Sequence, residues 1–287
     1  MLGINPQVVW ALARKELRQF LSNPTGYVFL TLFIATAAAA AFLNDGFFSR
    51  NLADLSTLNK AMPAILMFFV PAITMGIWAD QRKSGTDELL LTLPVRDGEV
   101  VLGMFLGALG IYTVGLVFSL ANLGVLMYLG EPDMGLMFST YLGYWLMGAL
   151  FVAVGMIGSI FTSNTTVAFI LGALGSACLV FTGSEPWANG IAGSALIGAF
   201  AALVYYVAAG THAFAGLVAL VAGLASVGLW INDSLPEFLD VFSHLSAPAH
   251  FTSFGEGILR LGDVAFFVGG TAVALYLCGL ILSRRHW

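Results

Sequence analysis

Long apolar runs separated by short polar breaks dominate the chain from about residue 27 onwards. A membrane-spanning helix needs about 20 apolar residues, and the stretches 100–130, 134–184 and 186–232 contain no Asp, Glu, Lys or Arg. The longer stretches must therefore hold more than one span each. Read between polar breaks, the pattern predicts eight spans, near residues 27–43, 61–78, 102–129, 138–161, 166–182, 193–209, 213–231 and 264–281.

The composition agrees with a membrane protein and excludes an ordinary globular domain. Hydrophobic residues make up 59% and charged residues 9% of the chain, against roughly 25% charged residues in soluble domains. The stretch 183–231 has no basic residue to orient it, so a re-entrant or interfacial pair there would reduce eight spans to six. We therefore predict one all-α domain over 1–287, a polytopic transmembrane helix bundle of six to eight spans.

Basic residues fall mainly on one side of the predicted membrane. Eight of the eleven Lys and Arg residues share the side of both termini, which the positive-inside rule assigns to the cytoplasm. The opposite side is predicted to carry ten acidic residues against three basic ones, and an acidic outer face can guide a cationic or protein partner. Both termini are thus predicted to be cytoplasmic.

Small residues recur at helical spacing within the spans, as in Gly103 with Gly107, Gly155 with Ser159, and Gly172 with Ser176. Membrane helices use such faces to pack closely. Cys178 and Cys278 lie in apolar runs, where packing as small apolar side chains is the ordinary role. The sequence predicts a tightly packed bundle without a wide aqueous pore.

Residues 1–24 predict a cytoplasmic interfacial helix ahead of the first span. Asn5 and Pro6 have the pattern of an N-cap and first helical residue, and the helix is expected to run to about Ser22. Its apolar residues fall on one arc of the helix, as in membrane-surface helices. Its polar positions include Arg14, Lys15, Glu16 and Arg18, and the basic ones face anionic lipid in this interpretation.

The segment 80–99 is a charged island between two apolar runs, and it predicts a short cytoplasmic helix. Ser84, Gly85 and Thr86 form a flexible lead-in that ends in an N-cap at Thr86. Asp87 and Glu88 then complement the helix dipole, and Pro94 ends the helix. An apolar stripe that requires a partner protein is formed by Leu89, Leu90 and Leu93.

The exterior segment 232–263 predicts two short amphipathic helices that rest on the outer leaflet. Their apolar positions are Phe238, Phe242 and Leu245, then Phe251, Phe254, Ile258 and Leu261. Asp240, His244 and His250 are the candidates for a metal or acid–base site. Metal sites need three or four ligands, so interfacial hydrogen bonding is the preferred interpretation and no metal site is predicted.

Motifs for independent chemistry are missing from the chain. It has no G-x-x-x-x-G-K-[ST] loop to bind a nucleotide, no H-E-x-x-H and no G-x-S-x-G. No Asp, Glu, Lys, Arg or His lies near the centre of a predicted span, which argues against a carrier driven by ions or protons. A permease of this kind is not itself catalytic and must take its energy from an ATPase. The alternatives are an ATPase-independent scaffold or channel-like protein and, third, a membrane-embedded enzyme.

Four segments resemble the membrane subunits of ABC type-2 permeases. They are R-K-E-L-R-Q-F-L-S-N-P-T-G-Y-V-F at 14–29, R-K-S-G-T-D-E-L-L-L-T-L-P-V at 82–95, H-F-T-S-F-G-E-G-I-L-R-L-G-D-V at 250–264 and the closing S-R-R-H-W. The gliding-motility GldF-type subgroup is the most similar, and the NosY-type is more distant. The resemblance covers roughly 1–130 and 240–287. Asp87 departs from it at a usually apolar position, and Asp80-Gln81 replaces a common glutamate pair.

The resemblance implies that segment 80–99 is the coupling helix received by a separate ABC ATP-binding subunit. The implied coupling residues are Arg82, Gly85, Thr86, Asp87, Glu88, Leu89, Leu90, Leu93 and Pro94. This chain would bind no cofactor itself, since ATP and Mg²⁺ belong to the partner subunit. Other expected partners are a second permease copy or paralogue, an exterior or periplasmic protein and membrane lipid, with no nucleic acid. The location implied is the bacterial inner membrane, and the work done is export or mechanical signalling.

Overall fold

Helices form all the regular structure that the computed structural model describes, which covers residues 5–43, 54–86, 95–183, 186–209, 214–231 and 241–283. A 3₁₀ turn at Val241–Leu245 precedes the tenth helix. The helices are α1 (Pro6–Ser22), α2 (Pro24–Phe42), α3 (Ser56–Lys83), α4 (Asp97–Ser119), α5 (Ala121–Leu129), α6 (Met134–Ile160), α7 (Thr165–Phe181), α8 (Pro186–Ala209), α9 (Ala215–Ile231), α10 (Ala247–Gly255) and α11 (Leu261–Ser283).

Five helical stretches are long and apolar enough to cross a membrane, and the second of them joins α4 to α5. They are Ser56–Lys83, Asp97–Leu129, Met134–Ile160, Trp187–Tyr206 and Leu261–Ser283. A sixth is added if α1 and α2 count as one bent span. α7 and α9 are apolar helices of 17 residues each, at the short end of spanning length. Each of the eight predicted spans corresponds to an apolar helix, and the prediction of a polytopic all-α bundle is confirmed.

The bundle has two ends, which we call the α1 end and the α10 end after the helix that lies at each. α8 extends between them: its Tyr206 ring lies 6.2 Å from the ring of Phe161 at the α1 end. At the other end Gly183, shortly before α8, packs against Ser243 and Ser246 beside α10. α9 returns along α8, with the Trp230 ring against Gly190. α8 and α9 therefore form an antiparallel helix pair.

The core lies around α6, which packs against α3, α4, α7 and α11. Tyr144 and Phe151 of this helix are completely buried. Tyr112 of α4 donates a hydrogen bond of 2.8 Å to the carbonyl oxygen of Tyr144, and its ring lies directly over Gly148. A side chain at residue 148 would occupy the volume of this ring. The predicted close packing through small residues is therefore confirmed at the centre of the bundle.

The start of α1 and the entry into α2 follow the predicted pattern. The Asn5 side chain accepts a hydrogen bond of 3.0 Å from the Gln7 amide, and Pro6 occupies the first helical position, where its missing N–H costs nothing. After Ser22 the chain turns at Asn23-Pro24, and the axes of α1 and α2 differ by 81°. α1 is thus a separate helix set across the direction of the first apolar helix.

The exterior helices differ from their prediction. The first falls partly on residues 232–240, outside the described residues, and its described part, Val241–Leu245, is a 3₁₀ turn. The second, α10, ends at Gly255, because Gly257 adopts a left-handed φ of 82°. Its aromatic residues Phe251 and Phe254 are buried against Gly143 of α6. α10 therefore packs on the bundle through these rings, and the prediction that they rest on the outer leaflet is wrong.

Candidate functional site

The polar contacts at the α1 end join α1, the end of α3 and the start of α4, and we call this group the junction. Glu99, in the first turn of α4, has a carboxylate that accepts two backbone hydrogen bonds. One comes from the Asn5 amide at 2.7 Å and the other from the Arg96 amide at 3.1 Å. Only 5% of the Glu99 surface is exposed. This carboxylate therefore ties the beginning of α1 to the beginning of α4.

α1 then runs alongside α4 on two glycines. A Cβ at Gly103 would lie 2.7 Å from the Leu12 Cβ, and one at Gly107 would lie 2.6 Å from the Glu16 Cβ. Carbon atoms in ordinary contact are about 3.5–4.0 Å apart, so only glycine fits at either position without displacing α1. The Gly103–Gly107 face was predicted to pack closely, and its partner is the amphipathic helix.

Glu16 links α1 to the end of α3. Its carboxylate accepts a hydrogen bond of 3.2 Å from the Gln81 side-chain amide and pairs with the Lys15 ammonium at 3.3 Å. Burial raises the pKa of the Glu16 carboxyl, and the Lys15 charge opposes that rise. Gln81 is itself buried, with 8% of its surface exposed. The polar side of α1 thus points partly into the protein.

The end of α3 is closed by a hydrogen-bonded turn. The Ser84 hydroxyl donates to the Asp80 carbonyl oxygen at 2.9 Å, and the Thr86 hydroxyl donates to that of Gln81 at 3.2 Å. Gly85 adopts a left-handed φ of 68°, which is common just after a helix end because glycine has no Cβ. The predicted flexible lead-in is therefore an ordered helix end.

Some of the predicted site residues lie within the described structure. Arg82 is in the last turn of α3, followed by Gly85 and Thr86. Of the four residues predicted for the interfacial helix, Arg14, Lys15 and Arg18 are exposed, while Glu16 is half-buried. The remaining predicted coupling residues, Asp87, Glu88, Leu89, Leu90, Leu93 and Pro94, lie outside the described residues.

Glu99 and Gln81 are junction residues that sequence reasoning missed. A signal for Glu99 was available, since an acidic residue three positions after the helix N-cap is half of a capping box. Its second bond, to Asn5, joins residues 94 positions apart, and no local pattern predicts it. Gln81 has no sequence signal of this kind, because its contact with Glu16 depends on how α1 and α3 meet.

A second polar cluster lies at the α10 end. His250 contacts the Asp263 carboxylate through Nδ1 at 2.7 Å and the His244 carbonyl oxygen through Nε2 at 3.0 Å. Ser253 donates to the other oxygen of Asp263. The carboxylate stands between serine and histidine, so His250 is not placed to take the serine proton as a general base. The cluster ties α10 to α11.

Asp240 lies outside the described residues, so the predicted grouping with His244 and His250 is seen only in part. Within the part of the chain that the structure describes, no three His, Cys, Asp or Glu side chains are arranged to hold a metal ion. Both ring nitrogens of His250 instead form hydrogen bonds, one with the Asp263 carboxylate and one with the His244 carbonyl oxygen. This matches the hydrogen-bonding interpretation of these residues.

The fold and the junction define a class: a multi-pass helical membrane protein whose amphipathic first helix is fastened to two spans at one end of the bundle. Comparison with protein families identifies it further. The model of the ABC-2 family transporter protein matches residues 10–200, which include most of α1, the end of α3, the start of α4 and most of α8. The chain belongs to this family.

Two relatives have similar sequences over part of their length. The probable ABC transporter permease protein NosY of Stutzerimonas stutzeri is 25% identical over 160 residues, covering 53% of this chain and 56% of the relative. The protein described in the same words from Pseudomonas aeruginosa is 35% identical over 125 residues, covering 40% and 42%. The chain thus spans about half the length of the curated relatives it matches, and the resemblance to NosY-type permeases is confirmed.

Proposed function

We propose that the chain is the membrane-spanning permease subunit of an ATP-driven ABC transporter in the bacterial inner membrane. The α1 end faces the cytoplasm, and a separate ATP-binding subunit, which carries ATP and Mg²⁺, docks on segment 80–99. The permease works with a second copy or a paralogue. Membership of the ABC-2 family supports this proposal, and the resemblance of the motifs at 14–29 and 82–95 to GldF-type permeases agrees with it.

The observation that carries the proposal is that α1 is held by both helices between which the predicted coupling residues lie in the sequence, α3 and α4. On the α3 side, Gln81 holds Glu16 at 3.2 Å. On the α4 side, Glu99 holds Asn5 at 2.7 Å. Both contacts lead to α1, so a force applied to the segment between them reaches α1 and two spans together. This connection suits the transmission of ATP-driven movement into the membrane.

The work done at the α10 end is export of a substrate or mechanical signalling to an exterior partner. The composition of the spans supports the second form as well as the first, since Asp, Glu, Lys, Arg and His are absent from their centres. α6 and α7 also approach to backbone contact through glycines, and α3 packs against the same glycines through Pro71 and Thr74. Closely packed helices transmit displacement rather than absorb it.

The test is copurification followed by an ATPase assay of the assembled complex. A P-loop ATPase should copurify in stoichiometric amount, and its ATP hydrolysis should be stimulated by the permease. Glu88→Arg and Leu90→Asp should abolish most of this stimulation by weakening the partner contact. Glu99→Gln should reduce the stimulation while leaving partner affinity unchanged, because Gln keeps only one of the two acceptor oxygens that join Asn5 and Arg96.

Glu131→Arg provides the matched control, since it reverses an exposed charge at the opposite end of the same helical bundle. It should leave both affinity and stimulation intact. Unchanged ATPase stimulation and partner affinity in Glu88→Arg would refute the docking of an ATPase on segment 80–99. Repeated failure to recover a P-loop protein would instead support an ATPase-independent scaffold.

A further inference from the structure

A serine of α6 reaches into the backbone of α3 near the α1 end. The Ser159 hydroxyl donates to the Met75 carbonyl oxygen at 3.0 Å. It accepts from the amides of Trp78 and Ala79 at 3.1 Å and 3.2 Å. In an α-helix the amide of residue 79 bonds the carbonyl of residue 75 directly. Ser159 therefore bridges the two ends of one turn of a neighbouring helix.

This contact differs from the usual behaviour of hydroxyls in membrane helices. Serine and threonine there commonly donate to a carbonyl one turn back in their own helix, as Thr113 does to Leu109 and Ser226 does to Gly223. Ser159 is fully buried, and its hydrogen bonds of 3.0–3.2 Å all cross to α3. One hydrogen bond within α6 would have satisfied the Ser159 hydroxyl. Its three contacts with the α3 backbone are therefore not needed for that purpose.

The helix just before this turn lacks one hydrogen bond, and both are closely surrounded. Pro71 lies inside α3, where it lacks the N–H for the helical hydrogen bond and favours a kink. A Cβ at Gly155 would lie 2.2 Å from the Thr74 hydroxyl, and one at Gly172 would lie 3.3 Å from the Pro71 Cβ. Side chains inserted into the helical ladder are a recognised cause of bending.

We propose that the turn Met75–Ala79 is a hinge in α3 and that Ser159 is the positioning residue that sets it. The last turn of α3 beyond the hinge carries Gln81, which holds Glu16 in the junction. Movement of the junction is then passed through Ser159 to α6, the helix at the centre of the bundle. This proposal rests on the proposed function for its role in coupling, but not for the hinge itself.

The test compares Ser159→Ala with Ser176→Ala as the matched control. Ser176 is a fully buried serine of α7 whose hydroxyl oxygen has no hydrogen-bond partner among the described residues. Hydrogen–deuterium exchange of the permease alone reports the hinge. Loss of the Ser159 acceptor should speed exchange in peptides covering 75–83 by roughly fivefold, the size expected for one net hydrogen bond. The Ser176 variant should show no change in these peptides.

The coupling role is measured in the assembled complex. Ser159→Ala should lower kcat for permease-stimulated ATP hydrolysis by roughly fivefold, a typical effect along a coupling route. KM for ATP and partner affinity should match those of the Ser176 variant, because Ser159 is remote from the ATPase. Thermal stability should fall slightly, because one net hydrogen bond is lost. A purely structural role would produce this fall in stability while leaving kcat unchanged.

The outcomes separate this proposal from the proposed function. Unchanged or slower exchange at 75–83 would mean that the turn closes as ordinary helix, and the hinge would be excluded whatever the ATPase result. Faster exchange with unchanged kcat, in a complex that Glu88→Arg inactivates, would exclude the positioning role. If Glu88→Arg also has no effect, the proposed function fails and the coupling role fails with it.

Discussion

Replacement of Gly103 and Gly107 together by alanine should push α1 away from α4. The added Cβ atoms would lie 2.7 Å from the Leu12 Cβ and 2.6 Å from the Glu16 Cβ. Carbon atoms at van der Waals contact are about 3.5–4.0 Å apart, so each Cβ is roughly 1 Å too close. The neighbouring atoms are Cβ atoms of α1. They are attached directly to the helix backbone, so they cannot move aside as the end of a flexible side chain can.

The expected loss of stability follows from two opposing terms. Overpacking costs about 1–3 kcal/mol per site, and the better helix propensity of alanine returns about 1 kcal/mol per site. The double variant should therefore be less stable by about 2 kcal/mol. For a protein of this size, that is a fall of about 4–8 °C in Tm.

Gly110→Ala is the matched control, since it lies on the same helix with its nearest neighbour, the Leu17 Cδ1, at an ordinary 3.7 Å from the added Cβ. It gains the same helix propensity without the clash. The assay is the temperature at which half of the detergent-solubilised protein leaves the monodisperse peak in size-exclusion chromatography. A double variant as stable as Gly110→Ala would refute the close approach of α1 to α4.

Two further outcomes are expected. Gly148→Ala should reduce the yield of monodisperse protein severely, because its Cβ would lie 2.1 Å from the Tyr112 ring, whereas Gly279→Ala, with no atom within 4 Å, should be recovered normally. A single cysteine introduced at residue 212 in a chain without its two native cysteines should resist membrane-impermeant thiol reagents in intact cells and react in inverted vesicles. Labelling from outside the cell would contradict the eight-span arrangement.

The helices themselves could be predicted because their signals are local. Hydropathy over about 20 residues locates a span wherever it packs, and Asn5 with Pro6 marks a helix start through geometry within three residues. The bend after Ser22 follows from Asn23-Pro24, since the residue before proline is disfavoured in helical conformation. The prediction failed where a pattern had two explanations. Spaced aromatics in α10 suit lipid and protein equally, and a glycine-lined face of α6 received Phe251 and Phe254.

The partners of the small residues could not be predicted for a related reason. Glycine spacing indicates that something approaches closely but carries no information about which helix does so. Gly103 and Gly107 receive α1, while Gly155 receives Thr74 of α3. The contacts of Ser159 could not be predicted either. Its partners are backbone atoms of Met75, Trp78 and Ala79, and backbone amides and carbonyls are present at almost every position of any sequence.

Gln81 is both a departure from the type-2 permease pattern and a hydrogen-bonding residue of the junction. The resemblance to type-2 permeases marked Asp80-Gln81 as a departure, with a glutamate pair common at these positions. The Gln81 side-chain amide donates a hydrogen bond to the Glu16 carboxylate at 3.2 Å, which a glutamate carboxylate could not do. Two carboxylates in so buried a site would repel each other and favour protonation of one. In this chain Gln81 therefore keeps α1 fastened to α3 at the half-buried Glu16 without requiring a proton.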